Sequence, residues 1–297
     1  MSAAFADRLI DGVRRTGSPL CVGLDPFPER IPALFGDAVS DPAAVLKFSA
    51  ALIEIAAKHA AVLKPQLGLF EQFGEQGYAV ARLACEQARA AGMLVILDAK
   101  RGDIGTTAEG YARASLGAHP GFNADCVTVN AYMGLDSLAP FLDLAERSAK
   151  GVAVLVRTSN PGARDIQDLD VGGAPLWRRL AEMLSPLSER LKGASGWSGL
   201  MAVAGATYPE QARALREAMP DSLFLVPGYG AQGASARDAV AGFVTTRYGR
   251  EGGIVNSSRA VSYPAGAENA KTLADWRAMI AAALIAAKNE LKAVCAA

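Results

Sequence analysis

The segment DAKRGDIGTT, residues 98–107, holds acids and a lysine close enough together to act on one substrate. Asp98 and Lys100 are two residues apart, so on a β-strand both side chains leave the same face. The apolar run LVIL precedes them, which predicts a buried strand with this pair at its carboxyl end, in the mouth of a barrel. Asp103 lies beyond, on a predicted loop. Because neighbouring carboxylates keep a lysine charged, we expect Lys100 to act as a general acid.

Polar side chains also interrupt or follow five other apolar runs. They are Asp25, Lys64, Ser159, Gln232 and Arg259. One polar residue could follow a strand by chance, but chance would not place one at each of six strand ends. In a barrel of parallel strands all of these ends meet on one face, which is where active sites are built. The pattern therefore predicts one shared site at the carboxyl ends of the strands.

The two last strand ends have the composition of a phosphate site. The stretch PGYGAQG, residues 227–233, contains glycines that let backbone N–H groups approach an anion, and Arg259 follows the next strand. An arginine can add a two-pronged contact to a phosphate. In a (β/α)8 barrel the loops after the seventh and eighth strands are the usual phosphate site.

Eight short runs rich in Val, Ile and Leu must position these residues. They are residues 20–24, 62–67, 94–98, 126–130, 152–157, 200–204, 223–227 and 253–256. The runs are almost continuously apolar, as strands buried on both faces are, and Ala-rich amphipathic segments separate them. Eight βα units in 297 residues predict a single TIM (β/α)8 barrel. A doubly wound open sheet is the alternative, but its two common phosphate-binding signatures are missing from the sequence.

Nothing in the composition requires a second domain, so residues 1–297 are predicted to form one barrel. A polar loop over residues 161–173 and a helix over residues 176–191 lengthen it, as an insertion around residues 161–195. Hydrophobic residues make up 51% of the chain, which excludes a disordered protein, and the net charge of zero gives no overall attraction for nucleic acid or acidic membranes. The longest apolar run, 278–287, is too short to span a bilayer. We expect a cytoplasmic protein.

With these motifs in place, the sequence resembles the orotidine 5′-phosphate decarboxylase family. Residues 98–107 match its DxKxxDIxxT signature, and five further blocks follow the family's pattern in the expected order. They are GLDPF (23–27), KPQLGLFEQFG (64–74), RTSNPGA (157–163), PGYGAQG (227–233) and NSSRA (256–260). The resemblance runs from about residue 18 to residue 262 and is to the longer bacterial class, type 2. It implies a carboxy-lyase that makes UMP and carbon dioxide from orotidine 5′-phosphate in pyrimidine biosynthesis.

The resemblance also implies catalytic roles. Lys100 would protonate C6 of the pyrimidine as carbon dioxide leaves, and Asp98 would lie beside the substrate carboxylate. Lys64 and Asp25 would bind ribose hydroxyls and complete a charged array. Ser159 would hydrogen-bond the pyrimidine edge.

Further implied contacts involve a partner subunit and the phosphate. In the homodimer that the resemblance implies, Asp103, Ile104 and Thr107 would reach into the partner's site, with Asp103 on the ribose. Gln232 and Arg259 would hold the phosphate. The resemblance implies neither a cofactor nor a metal, which agrees with the lack of a cofactor motif in the sequence.

Two other functions remain open on the residues alone. DxKxxD is shared with metal-dependent sugar-phosphate decarboxylases and aldolases built on the same barrel, which would not need RTSNPGA to hold a pyrimidine. A barrel that only binds a nucleotide is the second alternative. The combination of Asp98, Lys100 and Asp103 argues against it, since a binding protein has no use for a proton donor among buried acids.

Overall fold

Eight parallel strands close into a barrel in the computed structural model, which describes residues 3–230 and 233–296. The barrel strands are Leu20–Leu24 (β1), Val62–Pro65 (β2), Leu94–Arg101 (β3), Cys126–Val129 (β4), Gly151–Arg157 (β5), Ser198–Ala204 (β6), Ser222–Val226 (β7) and Gly253–Ser257 (β10). Each pairs with its neighbours in chain order, and β10 pairs with β1 to close the ring. The predicted (β/α)8 barrel is confirmed, and the open sheet is excluded.

Helices connect the strands and cover the outside of the barrel. They are Phe5–Thr16 (α1), Pro42–Ala56 (α2), Leu67–Glu71 (α3), Gly74–Ala90 (α4), Gly105–Leu116 (α5), Ala139–Arg147 (α6), Arg164–Gln167 (α7), Leu176–Leu184 (α8), Pro209–Ala218 (α9), Ala236–Ala239 (α10), Arg259–Ser262 (α11) and Leu273–Ala296 (α12). Short 3-10 segments occur at Pro28–Arg30, Ala33–Phe35, Leu135–Leu138, Pro161–Ala163, Ser185–Leu191 and Ala267–Asn269. A hairpin of Val244–Thr246 (β8) and Gly249–Glu251 (β9) precedes the last barrel strand.

The N-terminal helix closes the bottom of the barrel. Its buried Phe5, Leu9 and Ile10 belong to the same apolar cluster as the inward-facing side chains of the strands. The Phe5 ring fits against Gly151, where an added Cβ would lie 2.4 Å from the ring carbon Cδ1. A glycine is therefore required at the start of β5 for this close approach. With the amino ends of the strands covered in this way, the carboxyl ends are left for a site.

The segment between β5 and β6 is more structured than the sequence indicated. The loop predicted over residues 161–173 contains a 3-10 turn and the short helix α7. The helix predicted over residues 176–191 is α-helical only to Leu184 and continues as a 3-10 helix to Leu191. Pro186 explains the change, because proline has no N–H for an i→i−4 hydrogen bond.

Membrane insertion finds no support in the helices of residues 3–230 and 233–296. None of them combines the length and the apolar character that a bilayer crossing requires.

Candidate active site

A buried carboxylate, Asp98, is the centre of the polar residues at the mouth of the barrel. Each of its oxygens accepts two hydrogen bonds. Oδ1 accepts from Lys100 Nζ at 2.6 Å and from Thr128 Oγ1 at 2.9 Å. Oδ2 accepts from Lys64 Nζ at 2.6 Å and from Gln66 Nε2 at 3.0 Å. Four donors from three neighbouring strand ends therefore satisfy both oxygens of one carboxylate and fix its orientation.

Lys100 reaches Asp98 through an irregular strand end rather than through regular alternation. The pairing of β3 with β4 changes register between Leu97 and Arg101, and Lys100 has a φ of 48°. A lysine in this left-handed region is uncommon and costs about 1–3 kcal/mol. Its N–H donates to Thr128 Oγ1 at 2.9 Å, which holds the strained residue in place. The two-residue spacing predicted that the side chains meet, and this irregularity is how they do so.

The charges around Asp98 set its protonation and that of Lys64. Burial would raise the pKa of Asp98, but the adjacent ammonium groups of Lys64 and Lys100 outweigh it and hold the pKa well below its usual range. Burial would likewise lower the pKa of Lys64, and the charges of Asp98 and Asp25 raise it above its usual range. Both groups are therefore charged at neutral pH, in a site where Lys64 is almost completely enclosed.

A cavity of 510 Å³ opens beside these residues, within the range of about 300–1,000 Å³ that is typical of small-molecule sites. Its lining residues come from the carboxyl ends of the strands and the loops that follow them: Asp25, Lys64, Gln66, Asp98, Lys100, Thr128, Leu155, Thr158, Ser159, Asn160, Gln167, Val203, Leu225, Pro227, Gly228, Tyr229, Asn256, Ser258 and Arg259. Asp25 Oδ1 is buried there without a hydrogen-bond partner among the described residues. Such an oxygen is suited to accept a hydrogen bond from a bound molecule.

Arg259 and residues 227–229, at the start of the glycine-rich loop after β7, line the cavity. Arg259 is the first residue of α11, with Ser258 between it and β10, and Gly228 has a φ of 100° that favours glycine. Tyr229 anchors the loop by donating its hydroxyl hydrogen to Glu290 Oε2 of α12, at 2.6 Å. Gln232, the other residue predicted to bind here, lies outside the described residues.

Comparisons with known proteins identify the family. Residues 18–273 match the model of the Orotidine 5′-phosphate decarboxylase / HUMPS family. The orotidine 5′-phosphate decarboxylase of Rhodopirellula baltica is 41% identical, covering 97% of this chain and 99% of that protein. The enzyme of that name from Clostridium perfringens is 38% identical over 86% of this chain and 88% of its own. The chain belongs to the Orotidine 5′-phosphate decarboxylase / HUMPS family.

A solved structure of a family member has the same fold. The OMP decarboxylase of Leishmania donovani superposes with a TM-score of 0.79 at 32% sequence identity, covering 99% of both chains. At 99% coverage of both chains, this likeness extends over the whole barrel.

Three of the residues predicted from the family signature lie apart from the cavity of the single chain. Asp103 is on the loop after β3, where its Oδ1 accepts a hydrogen bond from the N–H of Ile104 at 2.8 Å. Ile104 and Thr107 are exposed, at the start of α5. By contrast, the remaining predicted residues that the structure describes all line the cavity. They are Asp25, Lys64, Asp98, Lys100, Ser159 and Arg259.

Sequence reasoning assigned no role to several polar residues that line the cavity, among them Gln66, Thr128 and Gln167. Gln66 and Thr128 both donate to Asp98, and Gln167 approaches from α7. Thr128 had a detectable signal, because it is the one polar residue within the apolar run CVTV. Gln167 had none, since its distance along the chain from the strand ends gives no indication that it returns to them.

Replacing Asp98 tests the electrostatics of this centre. Asp98→Asn preserves the shape of the side chain but leaves the buried Lys64 ammonium without its partner, which should lower the free energy of unfolding by about 3–5 kcal/mol at neutral pH. The folded-state pKa of Asp98 lies below the unfolded value of about 3.9, so the carboxylate stabilises the fold above that pH. As the pH falls toward the folded pKa, the difference between the two proteins should shrink.

Urea unfolding at neutral and acidic pH measures both effects. Glu217→Gln, on the exposed side of α9, is the control and should leave the unfolding curve unchanged. Equal stability of Asp98→Asn and the unmodified protein at neutral pH would contradict the role of the Asp98 charge.

Proposed function

We propose that this chain is a cytoplasmic orotidine 5′-phosphate decarboxylase, a carboxy-lyase of pyrimidine biosynthesis that forms UMP and carbon dioxide without a cofactor. The observation that supports this most directly is the buried Asp98 carboxylate between two ammonium groups, beside a cavity of nucleotide size. Family membership, with relatives named for this activity that match almost end to end, supports the same substrate.

Lys100 is the proton donor in this proposal. When the bond between C6 and the carboxylate breaks, its electron pair remains on C6, and Lys100 Nζ gives a proton to form the new C–H bond. An ammonium aimed at C6 stabilises charge that develops in the transition state. The Lys100 side chain is 46% exposed in the single chain, so the neutral amine left behind can take a proton from water.

Asp98 and Lys64 fix the position of this donor. Asp98 lies where the substrate carboxylate would approach, and its four hydrogen bonds keep it ionised and oriented. Lys64 also donates a hydrogen bond to the Asp98 carboxylate and, with Asp25, binds ribose hydroxyls. The buried Oδ1 of Asp25 has no hydrogen-bond partner in the described part of the chain, which supports this role, because a ribose hydroxyl would supply one.

The two ends of the nucleotide bind on opposite sides of this centre. Ser159, which lines the cavity after β5, hydrogen-bonds the pyrimidine edge. The phosphate lies at the loops after β7 and β10, where Arg259 and Gln232 hold it. Phosphate binding far from C6 fixes the orientation of the reacting group.

A homodimer completes the site, with Asp103, Ile104 and Thr107 reaching the cavity of the partner and Asp103 contacting the ribose. The exposed apolar side chains near these residues support such a contact. Ile104 is 56% exposed, and Tyr132 on the neighbouring loop is 86% exposed. Apolar groups this open to water favour burial against another surface.

Turnover of orotidine 5′-phosphate in the presence of a strong chelator tests the activity. We expect loss of the orotate absorbance with formation of UMP. Turnover that stops with chelator, or that requires a sugar phosphate, would favour the metal-dependent relatives. Binding of UMP without any turnover, by protein with an intact unfolding transition, would favour a barrel that only binds nucleotides.

Lys100→Ala tests the proton donor. We expect kcat to fall by at least about 10³-fold, because general acid catalysis and the ammonium charge are both lost. Binding of UMP should change by less than about tenfold, since the phosphate and ribose contacts remain. Single-turnover kinetics and a UMP titration measure the two quantities. Near-native kcat would show that another group protonates C6.

Mixing two inactive variants tests the shared site. In a dimer of one Lys100→Ala chain and one Asp103→Ala chain, one site collects both changes and the other collects neither. Random reassortment makes about half of the dimers mixed, so roughly a quarter of all sites should regain activity. If each site came from one chain, every site would keep one substitution. No recovery after unfolding and refolding the mixture, with exchange verified by mass-tagged chains, would exclude the shared site.

A further inference from the structure

A buried arginine at the end of β5 fastens the segment that follows this strand. Arg157 is 2% exposed, and its guanidinium lies over the ring of Tyr208, with Cζ 4.1 Å from the ring centre. Its Nη1 donates to Gln167 Oε1 at 3.1 Å and its Nη2 to Asp168 Oδ2 at 3.2 Å. Nε donates to Gln211 Oε1 of α9. One buried cation therefore joins the strand to α7 and to α9.

Gln167 links Arg157 by hydrogen bonds to residues that line the cavity. Its Oε1 also accepts from the N–H of Thr158 at 3.0 Å, and its Nε2 donates to Thr158 Oγ1 at 2.8 Å. Thr158 Oγ1 in turn donates to Asn160 Oδ1 at 2.7 Å. Because both Arg157 and the Thr158 N–H require an acceptor, the amide oxygen must face them. Ser159 thus stands between two residues that this network holds.

The opposite side of Ser159 is held by packing. Gly205 follows β6 and donates its N–H to the carbonyl of Arg157 at 2.8 Å. A Cβ added at Gly205 would lie 3.0 Å from Ser159 Cα, closer than the neighbouring backbone allows without a shift. The strand ends of β5 and β6 therefore leave Ser159 little room to move.

We propose that Gln167 is a positioning residue, which sets the place of Ser159 and thereby the recognition of the pyrimidine. This inference rests on the proposed function, in which Ser159 contacts the base. Both ends of the Gln167 amide are engaged by protein groups, so it acts through Thr158 rather than on the substrate. A role for the segment between β5 and β6 follows. It places the Gln167 side chain beside the site, where it supports the loop that contacts the base.

A double-mutant cycle tests whether Gln167 acts through Ser159. Decarboxylation by the unmodified protein is measured first, because its absence would contradict the proposed function and not this inference alone. Gln167→Ala should lower kcat/KM about tenfold and weaken UMP binding, while inhibition by ribose 5-phosphate, which lacks the base, should stay within about twofold. In a Ser159→Ala background, Gln167→Ala should cost less than about threefold, since the contact it supports is already gone.

Three further variants complete the test. Gln167→Glu keeps an acceptor for Arg157 and for the Thr158 N–H, so it should retain most of the activity. Ile166→Ala, on the same short helix but 54% exposed, is the control and should match the unmodified protein. Gln167→Met keeps the length without the hydrogen bonds and replaces Gln167→Ala if that variant does not fold. Additive losses in the cycle, or an equal loss of ribose 5-phosphate binding, would overturn the positioning role.

Discussion

The ion pairs of Asp98 with Lys64 and Lys100 are the interaction on which the rest of the site depends. Burial alone would raise the pKa of this carboxylate, and the two ammonium groups outweigh that effect and lower the pKa. The same contacts orient Lys100 and keep Lys64 charged although it is enclosed. Removing Asp98 would leave the enclosed ammonium of Lys64 without the carboxylate that accepts its hydrogen bond, so the charges of this buried pair depend on one another.

The barrel makes this unit possible by bringing distant parts of the chain together. Lys64, Asp98 and Thr128 come from three successive strands, and hydrogen bonding between parallel strands fixes their spacing. The helix α1 covers the amino ends, with Phe5 fitted against Gly151. Apolar packing at the amino ends of the strands stabilises the barrel, and the charged groups of the site lie at the carboxyl ends.

Backbone irregularity has a function at the reactive end. Lys100 has a positive φ, at the point where β3 and β4 change register. The energy stored there is offset by the hydrogen bond to Thr128 and by the ion pair with Asp98. The segment after β5 contributes a second kind of support, because Arg157 and Gln167 hold a loop that has no regular secondary structure of its own.

The sequence by itself determined the eight strands, their parallel arrangement and the polar residues that lie at the ends of five of them and line the described cavity. It could do so because a strand buried on both faces must be apolar throughout, which makes every polar residue at its end conspicuous. The family followed from the likeness of its motifs.

The 3-10 continuation after Leu184 was not anticipated, since a helical pattern of apolar residues does not show how a proline will alter the hydrogen bonds. Only the tertiary structure decided that Gln66 and Thr128 share Asp98 and that Gln167 returns from α7 to Thr158. These contacts depend on barrel register and on the path of a long connection, and neither is encoded in local periodicity.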